Sequence, residues 1–262
     1  MKMPSFQRVC FFVMLLVFQY PLQAQEWLAA FHVHENDSLP YRFLLPEMAG
    51  QNEKIPLLIF LHGAGERGTD NQKQLIHGGV FFRNAVVGGS QPAMLVFPQC
   101  PEDDYWANIK KTRTADGSQS FQFFSGDPPG AAMQQLISLL DSLIQLDFID
   151  RNRIYLGGLS MGGMGTFELL SRRPDVFAAA FPICGGGNPE TIKAFSPELK
   201  VWIFHGEADK VVLPAYSIDL FKGMQDAGFD VKISLYPEVG HAVWDEVFAD
   251  PQLLTWLFSI KK

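Results

Sequence analysis

The chain has 262 residues, of which 47% are hydrophobic and 19% charged, so it can bury a sizeable core and is not a disordered tail. Its formal net charge of −7, from 21 Lys and Arg against 28 Asp and Glu, argues against a nucleic-acid-binding protein, which would carry a basic balance or stripe. Three cysteines are too few for a disulfide-stapled scaffold, and no repeat of fixed period indicates a solenoid or propeller.

The first 24 residues are typical of a secretory signal peptide. Lys2 and Arg8 give a positively charged start, and the apolar run over residues 9–18 is too short to span a bilayer. Leu22-Gln23-Ala24 offers a cleavage site before Gln25. We therefore predict a signal peptide over residues 1–24 and a secreted or periplasmic mature protein that is not bound to a membrane. The alternative is an N-terminal anchor that is not cleaved.

Strands and helices alternate through the rest of the chain. Apolar or alternating runs predict strands, over residues 26–34, 39–45, 54–61, 93–97, 153–156, 177–183, 200–204 and 231–236. Apolar residues spaced three and four apart predict helices, over residues 130–146, 161–173, 214–228 and 245–260. This order predicts an α/β fold in one domain, residues 25–262. We expect a mostly parallel central sheet, helices on both of its faces and an antiparallel hairpin at the N-terminus.

One connection, residues 98–129, is unusually long. It has about thirty residues, whereas a loop between a strand and a helix commonly has about two to six. The segment is either a surface excursion that packs its own aromatic side chains or a loop that borders the substrate. On the second interpretation, Trp106 is a candidate substrate-binding residue.

The sequence Gly158-Leu159-Ser160-Met161-Gly162 matches the pattern G-x-S-x-G. A strand is predicted before it and a helix after it, and this motif needs that context, because a sharp turn there exposes the serine hydroxyl above the sheet. The flanking glycines are needed because a side chain at either position would collide in so tight a turn. Ser160 is therefore the predicted nucleophile.

A serine hydroxyl needs a base, and the base needs a carboxylate that orients it. In the architecture of this motif the partners follow in the order serine, acid, histidine. Two histidines follow Ser160 in the chain. His205 ends a strand, and no well-placed acid comes between it and Ser160, so His241, after the last strand, is the predicted base. The acid lies in the loop after residues 200–204, where we prefer Asp209 and keep Glu207 as the alternative.

An oxyanion also requires backbone N–H donors. One should be the N–H group of Met161, the residue after the nucleophile. The other should come from the loop LHGAGERG, with Ala64 as the first choice and Gly65 as the second. In the same loop Glu66 is a candidate substrate-binding residue, and His62 is expected to position the loop rather than to transfer protons.

Together the motifs LHGAGERG, PQCP, RIYLGGLSMGG, PICGGG, HGEADKVV and GHAVWD resemble those of the α/β-hydrolase superfamily. More narrowly they resemble its secreted, single-domain, esterase-like branch, related to dienelactone hydrolases, prolyl oligopeptidase catalytic domains and feruloyl or acetyl-xylan esterases. The resemblance covers roughly residues 55–258. It implies the triad Ser160, Asp209 and His241, in agreement with the order of the motifs. The chain departs from oligopeptidases in having no room for the propeller domain that gates peptides.

Two classes of function compete for this chain. The first is a serine esterase that forms an acyl-enzyme on small-molecule or polysaccharide esters, with feruloyl or acetyl esters of plant cell walls suggested by the resemblance. The second is a binding protein that kept the fold without turnover. Within enzymes, a small serine peptidase is the alternative to the esterase. We expect no cofactor and no metal site, since no H-E-x-x-H or comparable ligand spacing is present, and we expect a monomer or weak dimer.

The mature chain keeps Cys100 and Cys184, which we predict do not pair. In the strand order that the resemblance implies, the strands before these two cysteines are separated by two others. Three steps between strands place them about 14 Å apart, whereas a disulfide needs a Cα separation of about 4.4–6.8 Å. Both are therefore expected to be free thiols near the predicted site.

Overall fold

The computed structural model describes residues 26–34, 37–46, 53–88, 91–113 and 119–262. The predicted signal peptide, with its cleavage site at Ala24, lies outside the described residues. None of the helices in the described part of the chain combines the length and the apolar character that crossing a bilayer requires.

A mostly parallel sheet of eight strands forms the centre of the molecule. Its strands follow the order β1-β2-β4-β3-β7-β8-β9-β10. They are β1 (Leu28–His34), β2 (Asp37–Leu44), β3 (Ile55–Leu61), β4 (Met94–Pro98), β7 (Ile149–Leu159), β8 (Ala179–Ile183), β9 (Lys200–Gly206) and β10 (Val231–Tyr236). β1 and β2 form an antiparallel hairpin, and β2 lies antiparallel to β4, while the remaining neighbours are parallel. The predicted fold class is therefore confirmed.

Helices cover both faces of this sheet. They are α1 (Gly79–Val87), α2 (Ala131–Leu143), α3 (Met161–Arg172), α4 (Pro214–Asp226), α5 (Trp244–Ala249) and α6 (Gln252–Ser259). Successive side chains of a strand point to opposite faces, so β3 contributes to two cores. Leu57 and Ile59 pack in the core that includes α2 and α3, and Leu58 and Phe60 pack in the core that includes α1, α5 and α6. Because helices cover both faces of the sheet, every residue of β3 is buried, as the apolar run of residues 54–61 predicts.

Two segments differ from the prediction. The long connection after β4 contains a separate two-stranded hairpin, β5 (Ile109–Arg113) and β6 (Gln119–Phe123). The single helix predicted over residues 245–260 is two helices, α5 and α6, with Asp250 in an extended conformation between them. Pro251 accounts for the break, because proline disfavours helical geometry in the residue before it and has no N–H group to donate.

The structure confirms that Cys100 and Cys184 are unpaired. Each follows a strand, β4 and β8, and β3 and β7 lie between these strands as expected. Both side chains are fully buried, and burial raises the pKa of both thiols.

Thiol titration of the mature chain tests this arrangement. After unfolding without reductant, the mature chain should show two reactive thiols, and before unfolding both should react slowly because they are buried and protonated. Finding no reactive thiol, together with the mass of an intramolecular crosslink, would contradict the strand order.

Candidate active site

Ser160 lies at a strained turn between β7 and α3. Its φ is 54° and its ψ is −115°, a conformation that non-glycine residues adopt at a cost and that a strand-to-helix nucleophile turn requires. A Cβ atom at Gly162 would lie 2.0 Å from the carbonyl oxygen of Leu61, and one at Gly158 would lie 2.4 Å from the carbonyl oxygen of Gly162. Both flanking glycines are therefore required by backbone that passes close to the turn.

Replacement of Gly162 by alanine tests this requirement. The added Cβ collides with backbone that cannot rotate away, so we expect the free energy of unfolding to fall by about 1–3 kcal/mol. Because the turn must shift, kcat/KM should fall about 10²-fold. Gly240→Ala is the matched control, since apart from its two neighbours in the chain no described atom lies within 4 Å of a Cβ built there. Equal effects of the two substitutions in denaturant unfolding and ester hydrolysis would contradict the argument.

The three residues predicted as a triad meet in the structure. Asp209 follows β9 and His241 follows β10, and both strands end at the same edge of the sheet as β7. The Nε2 atom of His241 lies 2.9 Å from the Oγ atom of Ser160. Its Nδ1 atom lies 2.7 Å from the Oδ2 atom of Asp209. Glu207, the alternative acid, is exposed, so the structure brings Asp209 to the base.

The Asp209 carboxylate is held from both sides. Its Oδ1 atom accepts hydrogen bonds from the N–H groups of Val211 and Val212, at 2.8 and 3.0 Å. Its Oδ2 atom faces His241 and also His205, whose Nε2 atom lies 3.3 Å away. Burial alone would raise the pKa of Asp209, but the hydrogen bonds from His205 and His241 outweigh it and hold the pKa well below its usual range. The acid therefore stays ionised and fixes the orientation of His241.

The rate should depend on pH through the base. His241 must be neutral to accept the proton of Ser160, so kcat/KM should rise with pH as the base loses its proton. The pKa of Asp209 is held well below its usual range, so this carboxylate stays ionised and adds no second step. A pH profile of ester hydrolysis checks this, and a flat profile would contradict a histidine base.

The loop after β3 lies beside the nucleophile. A Cβ atom at Gly63 would lie 3.7 Å from the Cβ atom of Ser160, which fixes the position of the loop. Ala64 and Met161 are the expected oxyanion donors, and among the described residues neither N–H group donates a hydrogen bond. Gly65, the second choice, is exposed. Two free N–H groups next to Ser160 are what an oxyanion site needs.

His62 supports this loop. Its Nε2 atom accepts a hydrogen bond from the N–H group of Cys100 at 2.9 Å, so the ring proton is on Nδ1, which donates to the carbonyl oxygen of Gly63 at 2.6 Å. Burial lowers the pKa of His62 to about 4. This neutral, fully engaged ring fits the expected positioning role.

The two residues predicted to bind substrate lie in different surroundings. Trp106 is fully buried, with its ring 5.5 Å from that of His62, and its Cβ atom fills the space left by Gly165. The prediction that Trp106 contacts substrate is therefore wrong: its side chain supports the loop from within the core. Glu66, by contrast, has a carboxylate oxygen 3.0 Å from the Cβ position of Gly63, on the nucleophile's side of the loop.

Three further residues complete the surroundings of the triad. The position of His205 in the sequence does not favour it as the base, but it lies four residues before Asp209, and its Nε2 atom is 3.3 Å from that carboxylate. Trp244 packs edge-on against His241, with ring centroids 5.6 Å apart. The ring of His77 packs against that of Trp244, with centroids 5.0 Å apart, and no pattern in the sequence connects His77 with the site.

Cys184 lies directly behind the triad. Its sulfur, a carboxylate oxygen of Asp209 and a ring nitrogen of His241 all lie within 4.8 Å of one another, a spacing that could hold a metal ion. Burial and the charge of Asp209 raise the pKa of Cys184 well above its ordinary value, so the metal-binding thiolate form is disfavoured. The geometry instead suits a protonated thiol packed beneath the catalytic groups.

A nucleophile, base and acid arranged in this way on a sheet of this topology define a serine hydrolase with the α/β-hydrolase fold. The family model described as phospholipase/carboxylesterase matches residues 48–253, most of the chain. The chain therefore belongs to the phospholipase/carboxylesterase family and is a carboxylic ester hydrolase.

Individual relatives agree with this assignment. Acyl-protein thioesterase 1 of Neurospora crassa is 28% identical over 247 residues, which cover 81% of this chain and 89% of the relative. Lysophospholipase-like protein 1 of Mus musculus is 27% identical over 203 residues, 70% of this chain and 79% of the relative. Both relatives match over most of their own length.

Solved structures match over nearly the whole chain. A thermostable esterase superposes with a TM-score of 0.79 and 31% identity over 90% of this chain, and this chain spans 63% of that protein's length. A ferulic acid esterase superposes with a TM-score of 0.65 over 90% of this chain and 99% of its own. At 18% identity the second likeness shows the fold alone.

Proposed function

We propose that this ester hydrolase is secreted or periplasmic and removes feruloyl or acetyl groups from plant cell-wall polysaccharides. The observation that carries the catalytic part is the continuous hydrogen-bonded chain from Asp209 through His241 to Ser160. The substrate part is supported by the aromatic side chains beside the nucleophile and by the resemblance to feruloyl and acetyl-xylan esterases.

The chemistry follows from the triad geometry. His241 takes the hydroxyl proton on Nε2 as the Oγ atom of Ser160 attacks the ester carbonyl, and Asp209 stabilises the imidazolium. The N–H groups of Met161 and Ala64 donate hydrogen bonds to the carbonyl oxygen and stabilise the negative charge that develops on it. Collapse of this intermediate breaks the bond to the alcohol oxygen, which receives the proton from His241. In the second half of the reaction, His241 takes a proton from water as the water oxygen attacks the acyl-enzyme. The bond to the Oγ atom of Ser160 then breaks, Ser160 regains its proton from His241, and the carboxylic acid is released.

An apolar cluster lies next to the reacting serine. Ala107, Phe121, Met164 and Val212 are buried in it, and Phe123 and Tyr216 are half-buried at its edge. Met164 is one helical turn beyond the nucleophile, and Val212 is bonded to the triad acid. The N–H group of Phe121 donates to the hydroxyl of Tyr216 at 3.0 Å, which ties the β5–β6 hairpin to α4. The accessible parts of the Phe123 and Tyr216 rings suit an aromatic or short acyl group, and the buried members of the cluster support them.

A panel of acyl donors tests the proposal. Methyl ferulate, acetylated xylan, p-nitrophenyl acetate, p-nitrophenyl palmitate and a peptide p-nitroanilide would be compared by kcat/KM. We expect ferulate or acetylated xylan to be preferred. Preference for the palmitate would favour a lipid or thioester substrate, as the names of the mouse and Neurospora relatives suggest, and would overturn the polysaccharide proposal. Robust cleavage of the anilide alone would indicate a peptidase.

Location outside the cytoplasm rests on the charged start and apolar run of residues 1–24. Expression of the full chain with its leader should give an extracytoplasmic protein that begins at Gln25. N-terminal sequencing of the recovered protein checks this, and a protein that keeps Met1 and stays in the cytoplasm would contradict it.

A further inference from the structure

The mechanism leaves one buried carboxylate beside the nucleophile unused. The side chain of Glu66 is only 12% exposed. Its Oε2 atom lies 3.0 Å from the Cβ position of Gly63, and that position is 3.7 Å from the Cβ atom of Ser160. The carboxylate therefore lies at the edge of the catalytic site.

This carboxylate can accept hydrogen bonds from whatever occupies the site. Among the described residues, the Nε2 atom of His77 lies nearby, 3.7 Å from Oε1. The oxygens of Glu66 are not among the buried polar atoms that lack a partner, so they remain accessible to the solvent of the site. A ligand that displaces this water must replace its hydrogen bonds to the carboxylate, or binding is weakened.

Aromatic rings continue the surface from Glu66 to the base. The ring of His77 lies 5.0 Å from that of Trp244, and Trp244 lies 5.6 Å from His241. The Trp244 and His77 side chains are both half-buried, so part of each ring is accessible. Glu66, His77 and Trp244 together form one side of the site, from the loop beside Ser160 to the ring of His241, which we call the Glu66 wall.

The catalytic proton transfer assigns this wall to one half of the substrate. His241 delivers its proton to the oxygen of the departing alcohol, so the alcohol must lie on the side of His241. Trp244 packs against that ring, whereas the apolar cluster of Phe121, Met164 and Val212 is a separate group of side chains. The Glu66 wall therefore faces the alcohol.

We propose that the Glu66 wall is the alcohol subsite and that it selects a hydroxyl-rich alcohol, such as a sugar or another polyol. Hydroxyl groups can donate hydrogen bonds to the Glu66 carboxylate in place of water, and the C–H face of a sugar ring packs against Trp244. A purely aliphatic alcohol would displace that water without replacing its hydrogen bonds, and sites built to bond a hydroxyl reject such analogues. The inference rests on the proposed ester hydrolysis and specifies its leaving group.

Esters that share one acyl group and differ in the alcohol test this assignment. Acetates of methyl xyloside, n-propanol and choline would be compared by kcat/KM, which reports acylation only. We expect the xyloside acetate to be preferred to propyl acetate by at least about ten-fold, and Glu66→Gln to reduce that ratio at least about five-fold. Glu246→Gln is the matched control, because Glu246 is exposed on α5, and it should leave the ratio unchanged.

Further variants and a burst assay separate the possible failures. Trp244→Leu and His77→Gln should also lower the ratio, and they provide the test if Glu66→Gln does not fold. An unchanged ratio in all three folded variants, or a preference for choline acetate in the parent protein, would overturn the alcohol subsite. If p-nitrophenyl acetate gives no burst and no turnover, it is the proposed ester hydrolysis that fails.

Discussion

Replacement of Ser160 by alanine should lower kcat for ester hydrolysis by about 10³- to 10⁶-fold, because the other nucleophilic group near the base, the Cys184 thiol, is fully buried and kept protonated. The chain should stay folded. Alanine keeps the Cβ atom, so the backbone strain at φ 54° is unchanged. The residue is half-buried, and among the described residues its hydroxyl bonds to His241 alone. Steady-state hydrolysis of p-nitrophenyl acetate and thermal unfolding measure the two effects.

Ser142→Ala is the control for this substitution. Ser142 is exposed on α2, and its hydroxyl donates to the backbone carbonyl of Ser138 in its own helix, so both activity and stability should be retained. Residual burst release by the Ser160→Ala protein at the level of the parent would show that another residue is acylated. Absence of a burst in both proteins would favour the binding protein on the same fold.

The nucleophile and its partners could be predicted because their signals are local. The glycines around Ser160 indicate a turn in which other backbone passes close by. The order of the strands then brings the loops that carry Asp209 and His241 to the edge of the sheet where Ser160 lies. The choice of Asp209 over Glu207 has a local physical basis as well. Its side chain accepts hydrogen bonds from the N–H groups two and three residues later, a turn that aspartate favours.

The surroundings of the triad depend on contacts between distant segments, which one sequence does not reveal. Trp106 was expected at the substrate because it lies in a long aromatic loop, but its ring is buried because Gly165 on α3 leaves space for it. His77 reaches Trp244 across 167 residues of sequence, with no motif joining them. In β5, exposed charged residues take the place of the apolar alternation that marks a strand in the sequence.

Asp209→Asn should lower kcat by about 10⁴-fold while leaving the site assembled. Three N–H donors bond the carboxylate, from His241, Val211 and Val212. The Nε2 atom of His205, which donates to the carbonyl oxygen of Val212, lies 3.3 Å from Oδ2. An amide has one acceptor oxygen. If that oxygen stays on the two N–H groups of the turn, the amide NH₂ faces His241 and can only donate to Nδ1. The proton of the imidazole then moves to Nε2, where Ser160 needs a lone pair.

The contrast with Glu207→Gln decides the identity of the acid. Glu207 is exposed, so its amide variant should keep kcat within about two-fold of the parent, in line with surface substitutions. Circular dichroism and thermal unfolding would show whether the Asp209→Asn protein is folded, so that a loss of rate can be assigned to the histidine tautomer. A near-normal rate for Asp209→Asn together with an inactive Glu207→Gln protein would mean that Glu207 is the acid, and that the loop after β9 rearranges during catalysis.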